Sequence, residues 1–192
     1  MTGPVKAGKT KALIEKYEEL TSMGEQTQVF SSKFSLNQGE TVQSRFGTKL
    51  KAIPIDSIFD TLTHIKPDTK NIMIDEFQFL QGSKNDLRIF FTENYGKYEF
   101  FVYGLDLDFQ KKSFALMAEI LCLGDIIIKL HSNCDMCDVQ NKGRYSLRLE
   151  DGEPAEIYSP NPQIILLDGT HTDTEITYKS ICEECWKDIY GK

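Results

Sequence analysis

The residues Gly3-Pro4-Val5-Lys6-Ala7-Gly8-Lys9-Thr10 match G-x-x-x-x-G-K-[ST] at every fixed position. In such a loop the glycines let successive backbone N–H groups turn inward around phosphate oxygens. The Lys9 ammonium reaches the outer phosphates, and the Thr10 hydroxyl takes a place on Mg²⁺. The motif assigns Gly3, Pro4, Val5, Lys6, Ala7, Gly8, Lys9 and Thr10 to ATP and its Mg²⁺. Leu13, Tyr17, Leu20 and Met23 recur near helical spacing, which predicts a helix over residues 9–23 stopped by Gly24. The positive end of that helix would face the anion. A loop of this kind ordinarily follows a buried strand, yet only Met1 and Thr2 precede Gly3. The expectation is a start truncated upstream, since a missing central strand leaves core backbone groups unpaired.

A second group is Asn71-Ile72-Met73-Ile74-Asp75-Glu76, an apolar run that ends in two carboxylates. In nucleotide-binding sheets such a strand end lies beside the phosphate loop, where Asp75 would orient Mg²⁺. Glu76 is then free to accept a proton from an attacking hydroxyl or water. The pleat of a strand would send the two side chains in opposite directions.

The third group is Cys134-x-x-Cys137 with Cys182-x-x-Cys185. Each pair is a turn that aims two sulfurs at one point, and two such turns close a tetrahedral four-thiolate site. With no coordination position left for water, the metal is expected to be structural Zn²⁺. Cys122, in an apolar helical pattern, reads as a small core residue. His64, His131 and His171 need no metal role.

Elements must position these groups. Strand patterns fall at residues 27–31, 51–55, 71–75, 99–104 and 125–130. Helical patterns fall at 56–65, 83–94 and 113–123 besides the first. Alternation of this kind predicts an α/β fold, a mostly parallel P-loop NTPase-type sheet flanked by helices. Past residue 131 the text changes to short strand patterns at 144–149, 164–167 and 175–181. Between them, residues 150–173 contain three prolines and two glycines and read as a mobile loop or an irregular hairpin. The reading is a nucleotide-binding kinase domain over 1–130 and a small zinc-pinned β lobe over 131–192.

The chain has 192 residues, with 22 basic against 29 acidic side chains and a net charge of −7. That balance argues against a nucleic-acid-coating protein. The apolar runs are too short to span a bilayer, and residues 1–10 carry no apolar signal region, so a cytoplasmic protein is expected.

Loop, acidic strand and cysteine pairs occur in an order that resembles the zinc-containing, cytosolic-type (type II) thymidine kinase family. Gly3–Thr10 resembles that family's GPMFSGK[ST] loop, and Asp75-Glu76-Phe77-Gln78-Phe79 resembles its DE-x-QF signature. Gly104-Leu105-Asp106-Leu107-Asp108-Phe109-Gln110-Lys111-Lys112-Ser113-Phe114 resembles its lid. Ser44-Arg45-Phe46-Gly47 and Tyr178-Lys179-Ser180-Ile181-Cys182 are similar to further family segments. The chain departs from the family at Val5 and Lys6, where a Met and an aromatic are usual. It also lacks an arginine in Phe34-Ser35-Leu36-Asn37-Gln38, and carries a longer stretch at Leu167-Asp168-Gly169-Thr170-His171.

The resemblance implies transfer of the ATP γ-phosphoryl group to the 5′-hydroxyl of thymidine or deoxyuridine. It makes Glu76 the general base and counts Gln78 with the nucleotide-binding residues. It makes Phe79, Phe109, Phe114 and Tyr178 nucleoside contacts, with Tyr178 on a loop tethered by the zinc. It further implies a homotetramer with no nucleic-acid or membrane partner. The rival readings are a kinase for another deoxynucleoside and a catalytically impaired nucleotide-binding module of the same fold.

Overall fold

The computed structural model describes residues 1–36, 41–43, 47–114, 116–158 and 175–191. The strand expected at 164–167, the stretch at 167–171 and most of the loop expected at 150–173 lie outside the described residues. So do Asn37 and Gln38 and, of the Ser44–Gly47 stretch, Ser44, Arg45 and Phe46. The chain divides into two compact units. Unit 1 is Met1–Thr2, Gly8–Leu105 and Ala115–Ile128, and unit 2 is Gly3–Ala7, Asp106–Phe114 and Lys129–Lys192.

In unit 1, α1 (Lys9–Ser22) leads into β1 (Thr27–Ser32). A short antiparallel pair, β2 (Thr41–Gln43) and β3 (Lys49–Lys51), precedes β4 (Ile53–Ile55). The pattern at 51–55 is therefore two elements that part at Ala52. Then come α2 (Asp60–His64), β5 (Asn71–Asp75), α3 (Lys84–Asn94), β6 (Glu99–Val102) and α4 (Met117–Leu123). Among the described residues the main sheet has the order β4-β1-β5-β6, every pair parallel.

All five β5 residues are buried, as a central strand covered on both faces requires. Its alternation splits the core. Ile72 and Ile74 pack with Ile55, Phe77, Phe90 and Met117, whereas Met73 packs with Leu13, Ile14, Val29 and Tyr103. Both clusters anchor β5, so the position of Asp75 at its end is set by packing on two sides.

Two expectations shift for local reasons, while the helix expected at 83–94 is found with Ser83 as its cap. The Asp60 carboxylate accepts from the backbone N–H groups of Asp56 and Ser57, so residues 56–59 form a turn and α2 starts late. At α3 the Ser83 hydroxyl accepts from Asp86 N–H while the Asp86 carboxylate accepts from Ser83 N–H, a reciprocal cap that fixes the start. Residues 125–130 form no regular strand. Ile126, Ile127 and Ile128 are exposed, and Ile128 O accepts from Thr2 N–H at 2.8 Å. Beside β6, the Met1 amino group donates to Val102 O at 2.6 Å, and Thr2 bridges Gly104 in parallel. Cys122 is exposed, which corrects its reading as a core residue, because α4 turns that side of its apolar pattern outward.

In unit 2, β7 (Tyr145–Glu150), β8 (Glu153–Pro154) and β9 (Ile176–Ile181) form an antiparallel sheet in the order β8-β7-β9. It is followed by α5 (Glu183–Tyr190), a helix that the sequence pattern had not revealed. Leu147, Leu149 and Ile181 pack with Cys134, Cys182 and Trp186, which makes a small core around the cysteines. Among the described residues no helix is long and apolar enough to cross a membrane.

Candidate active site and metal centre

In unit 1 the chemistry gathers at the C-terminal end of β5. Gly8, in the left-handed region at φ 88°, caps α1 without a side chain, and its carbonyl accepts from Ala12 N–H. The next two residues supply Lys9, which is buried, and Thr10, whose Oγ1 donates to Asp75 Oδ2 at 3.2 Å. Asp75 is 2 % exposed. Burial pushes its carboxyl up to about 7, helped by the neighbouring Glu76 charge. The Glu76 N–H, the Lys9 charge and the Thr10 hydroxyl pull the other way. A hydroxyl and a carboxylate side by side are hard oxygen donors, the ligand chemistry of Mg²⁺.

Glu76 does not continue the strand. Its φ of 52° is left-handed and opens a 3₁₀ turn over Phe77–Phe79. Glu76 therefore leaves the strand through a backbone turn, and the strand pleat expected from sequence to part the two side chains does not extend to it. Gln78 is 1 % exposed; its Nε2 donates to Glu76 Oε2, and its Oε1 accepts from Leu105 N–H at 2.9 Å. Gln78 thus braces Glu76. Gly104 makes room for this, since a Cβ there would lie 2.7 Å from Gln78 Oε1 and 2.8 Å from Met117 Sδ. Phe79 packs on Phe34 with ring centroids 4.7 Å apart, whereas Phe77 is buried in the core.

In unit 2, residues 3–7 are tied to the β7 side and to the first cysteine turn. Val5 N–H donates to Ser146 Oγ at 3.1 Å, and Lys6 Nζ pairs with Asp135 Oδ2 at 2.6 Å. The segment Asp106–Phe114 is a tight hairpin. Leu107 bridges Ser113, and the Asp108 carboxylate accepts from the N–H groups of Gln110 and Lys112. Phe109 and Phe114 are buried. Lys111 Nζ lies 3.5 Å from the Trp186 ring centroid, 3.7 Å from that of Tyr145, and 3.2 Å from Glu183 Oε2. This cation–aromatic clamp fastens the hairpin to α5.

Arg148, which the sequence reading passed over, is fully buried. Its guanidinium stands 5.1 Å from the Phe109 ring and pairs with Glu150 at 2.8 Å. The signal was present: a lone arginine between two leucines inside a strand pattern. Tyr178 lies opposite Arg148 in the β7–β9 ladder and is over a third exposed.

The four cysteine sulfurs lie within 4.8 Å of one another, with Cys134–Cys185 and Cys137–Cys182 both 3.8 Å apart. A tetrahedron with Zn–S bonds of about 2.3 Å has S···S edges of about 3.8 Å. A disulfide would need about 2.05 Å. The donor set and its spacing therefore fit zinc. The Cys134 thiol is pushed up by burial, but the N–H groups of Met136, Cys182 and Cys137 outweigh this and bring it down to about 6. Burial pushes the Cys182 and Cys185 thiols the other way, up, so the fit to a metal rests on the sulfur geometry.

The chain is similar in sequence to known proteins. The thymidine kinase family model matches residues 1–186. The thymidine kinase of Ureaplasma parvum serovar 3 is 31% identical over 161 residues, covering 81% of this chain and 70% of that protein. The thymidine kinase of Mycoplasma mobile is 29% identical over 190 residues, covering 96% and 84%. That of Ureaplasma urealyticum serovar 10 is 30% identical over 160 residues, covering 81% and 70%.

Proposed function

The chain belongs to the thymidine kinase family, an ATP-dependent enzyme family, and on that premise we propose how its residues divide the transfer of the ATP γ-phosphoryl group to the 5′-hydroxyl of thymidine. The observation that carries this reading is the Thr10–Asp75 contact, which brings the second half of the phosphate loop to the acidic strand end. In this reading the Gly3–Thr10 loop holds the triphosphate, with backbone N–H groups at its glycine-lysine end turned to the phosphates. Lys9 neutralises charge on the transferring group. Bound through Thr10 and Asp75, Mg²⁺ would supply further charge neutralisation at the phosphates.

Glu76 is the proton acceptor. A 5′-hydroxyl is a poor nucleophile at neutral pH, so its proton needs a base within hydrogen-bond reach as the new P–O bond forms. The brace from Gln78 fixes the rotamer of Glu76, which lowers the cost of bringing the base into position. The reading gives Phe79, Phe109, Phe114 and Tyr178 each a contact with the nucleoside. The buried Arg148 behind Phe109 stiffens that ring. Zn²⁺ at Cys134, Cys137, Cys182 and Cys185 would be structural, joining the first cysteine turn to the end of β9, which bears Tyr178.

The enzyme is read as a cytoplasmic homotetramer with residues 1–130 as its kinase domain and 131–192 as its zinc lobe. Nucleic acid and membrane have no part in the scheme. The test is transfer of γ-phosphate to a nucleoside panel by the purified full chain. Transfer to thymidine and deoxyuridine above cytidine and adenosine nucleosides supports it. Preference for another deoxynucleoside, or ATP binding without transfer, favours one of the two rivals.

A further inference from the structure

We propose that Lys6 is a positioning residue that fastens the phosphate loop to the first cysteine pair, so that metal bound by the four cysteines sets the affinity for ATP. The inference rests on the reading of Gly3–Thr10 as the ATP site. Lys6 is a non-glycine residue at φ 65°. Long side chains occupy that region only where the surroundings over-determine it. Here the determinant is Asp135, whose Oδ2 lies 2.6 Å from Lys6 Nζ across 129 residues of chain, with both side chains only 28% exposed.

Asp135 is itself fixed. The same Oδ2 accepts from Ser180 N–H at 2.8 Å, and Asp135 N–H donates to Ser180 O at 2.7 Å. Asp135 follows Cys134, and Ser180 stands two residues before Cys182. The two hydrogen bonds therefore span the two cysteine turns, and a metal joining those turns holds both partners of the bridge. Val5 N–H adds a second tether, to Ser146 Oγ on β7.

A lysine within a phosphate loop has another obvious use, a direct charge on the triphosphate. The Asp135 carboxylate already compensates that charge and aims the ammonium at the cysteine turn. What Lys6 contributes is the path of the backbone between Val5, whose N–H is held by Ser146 Oγ, and Ala7, and through it the approach of the chain to Gly8 and Lys9. Loss of metal would loosen the Asp135–Ser180 bridge, release Lys6 and let the loop relax. By linkage, bound ATP must in turn retain the metal.

The test uses the full chain purified with its metal. Asparagine tolerates the left-handed region, so Lys6→Asn removes the charge with little backbone penalty. Asp135→Asn keeps an acceptor for Ser180, and Lys6→Arg keeps the charge. ATP affinity is measured by equilibrium binding, and metal loss is followed as the rate of transfer to a chelator with and without Mg·ATP. Each asparagine variant is expected to weaken ATP about 2–5-fold, the scale of one partly exposed ion pair. The double variant should be no worse than either single, and Lys6→Arg should restore affinity. KM for thymidine should stay within about twofold, as a loop-specific role requires. Mg·ATP should slow metal loss from the wild type and not from Lys6→Asn. Unchanged ATP affinity in Lys6→Asn, or the same ATP protection of the metal in both proteins, overturns the proposal. Lys9→Ala separates the two layers. If it turns over like wild type, the loop is not the ATP site and the inference falls with it. If it is inactive while the Lys6 variants bind ATP normally, only the role of Lys6 falls.

Discussion

Thr10 Oγ1 donates to Asp75 Oδ2 across 65 residues of sequence, and the two groups are brought together by α1 and β5. The contact is possible because Gly8 turns the chain into α1 at a left-handed angle, which delivers Thr10 in the first turn of the helix. It also leaves Asp75 under strain of an electrostatic kind. A carboxylate in the core, beside Glu76, has given up its water for one hydroxyl and one N–H.

Asp75→Asn should therefore stabilise the protein while abolishing turnover. The folded state raises the pKa of Asp75 from the ordinary 3.8 to about 7. The protonated form is the one the fold favours, so the contribution of this group is fully present below pH 3.8 and is lost as pH rises through 7. At pH 8, without nucleotide or divalent ions, Asp75→Asn should raise Tm by ~2–4 °C, as a gain of about 1 kcal/mol gives at this chain length. The gain should shrink at pH 5.5. Thermal scans at the two pH values check the sign; a lower Tm at pH 8 would refute the account of Asp75.

Glu76→Gln keeps the shape and removes the basic oxygen. Turnover should fall roughly 10²–10⁴-fold with little change in ATP affinity, as general-base loss does. A variant that turns over like wild type would show that another group takes the proton.

Gln78→Ala tests the brace. Removing it frees Glu76 and leaves the Leu105 N–H without its acceptor. kcat should drop about 10-fold, the kinetic equivalent of roughly one hydrogen bond, with KM for ATP unchanged. A change confined to KM would place Gln78 at the nucleotide instead.

Metal analysis of the purified protein should find about one zinc per chain, the stoichiometry of a single four-thiolate site. Chelation or Cys134→Ser should lower Tm and expose the small core of Leu147, Leu149 and Ile181. A metal-free protein of undiminished stability would refute the metal centre.

The phosphate loop, the Asp75–Glu76 strand end and the cysteine quartet could be read from the chain because each is carried by residue type at fixed spacing. β5 was legible for a related reason: a strand buried on both faces is a continuous apolar run. The exposure of Ile126–Ile128 and Cys122 was not legible, because an apolar pattern does not record which neighbours arrive to cover it. α5 was hidden behind the second cysteine pair, where Cys182 serves as a helix cap as well as half of a metal turn. Residues 3–7 group with unit 2, and their Lys6–Asp135 and Val5–Ser146 contacts are ones that no local window contains. The left-handed turn at Glu76 was equally silent, since nothing in Asp-Glu-Phe marks a positive φ.

The most direct test of the central claim is single-turnover transfer of γ-phosphate from ATP to thymidine by the wild type and by Lys9→Ala, with ATP binding measured in parallel. Lys9 stands within the loop and acts on the same Asp75 that Thr10 contacts. The account predicts transfer to thymidine by the wild type. In Lys9→Ala it predicts a rate at least about 10³-fold lower, since the transferring group loses a cation, while backbone contacts preserve part of the ATP affinity. Equal transfer rates in the two proteins would contradict the account.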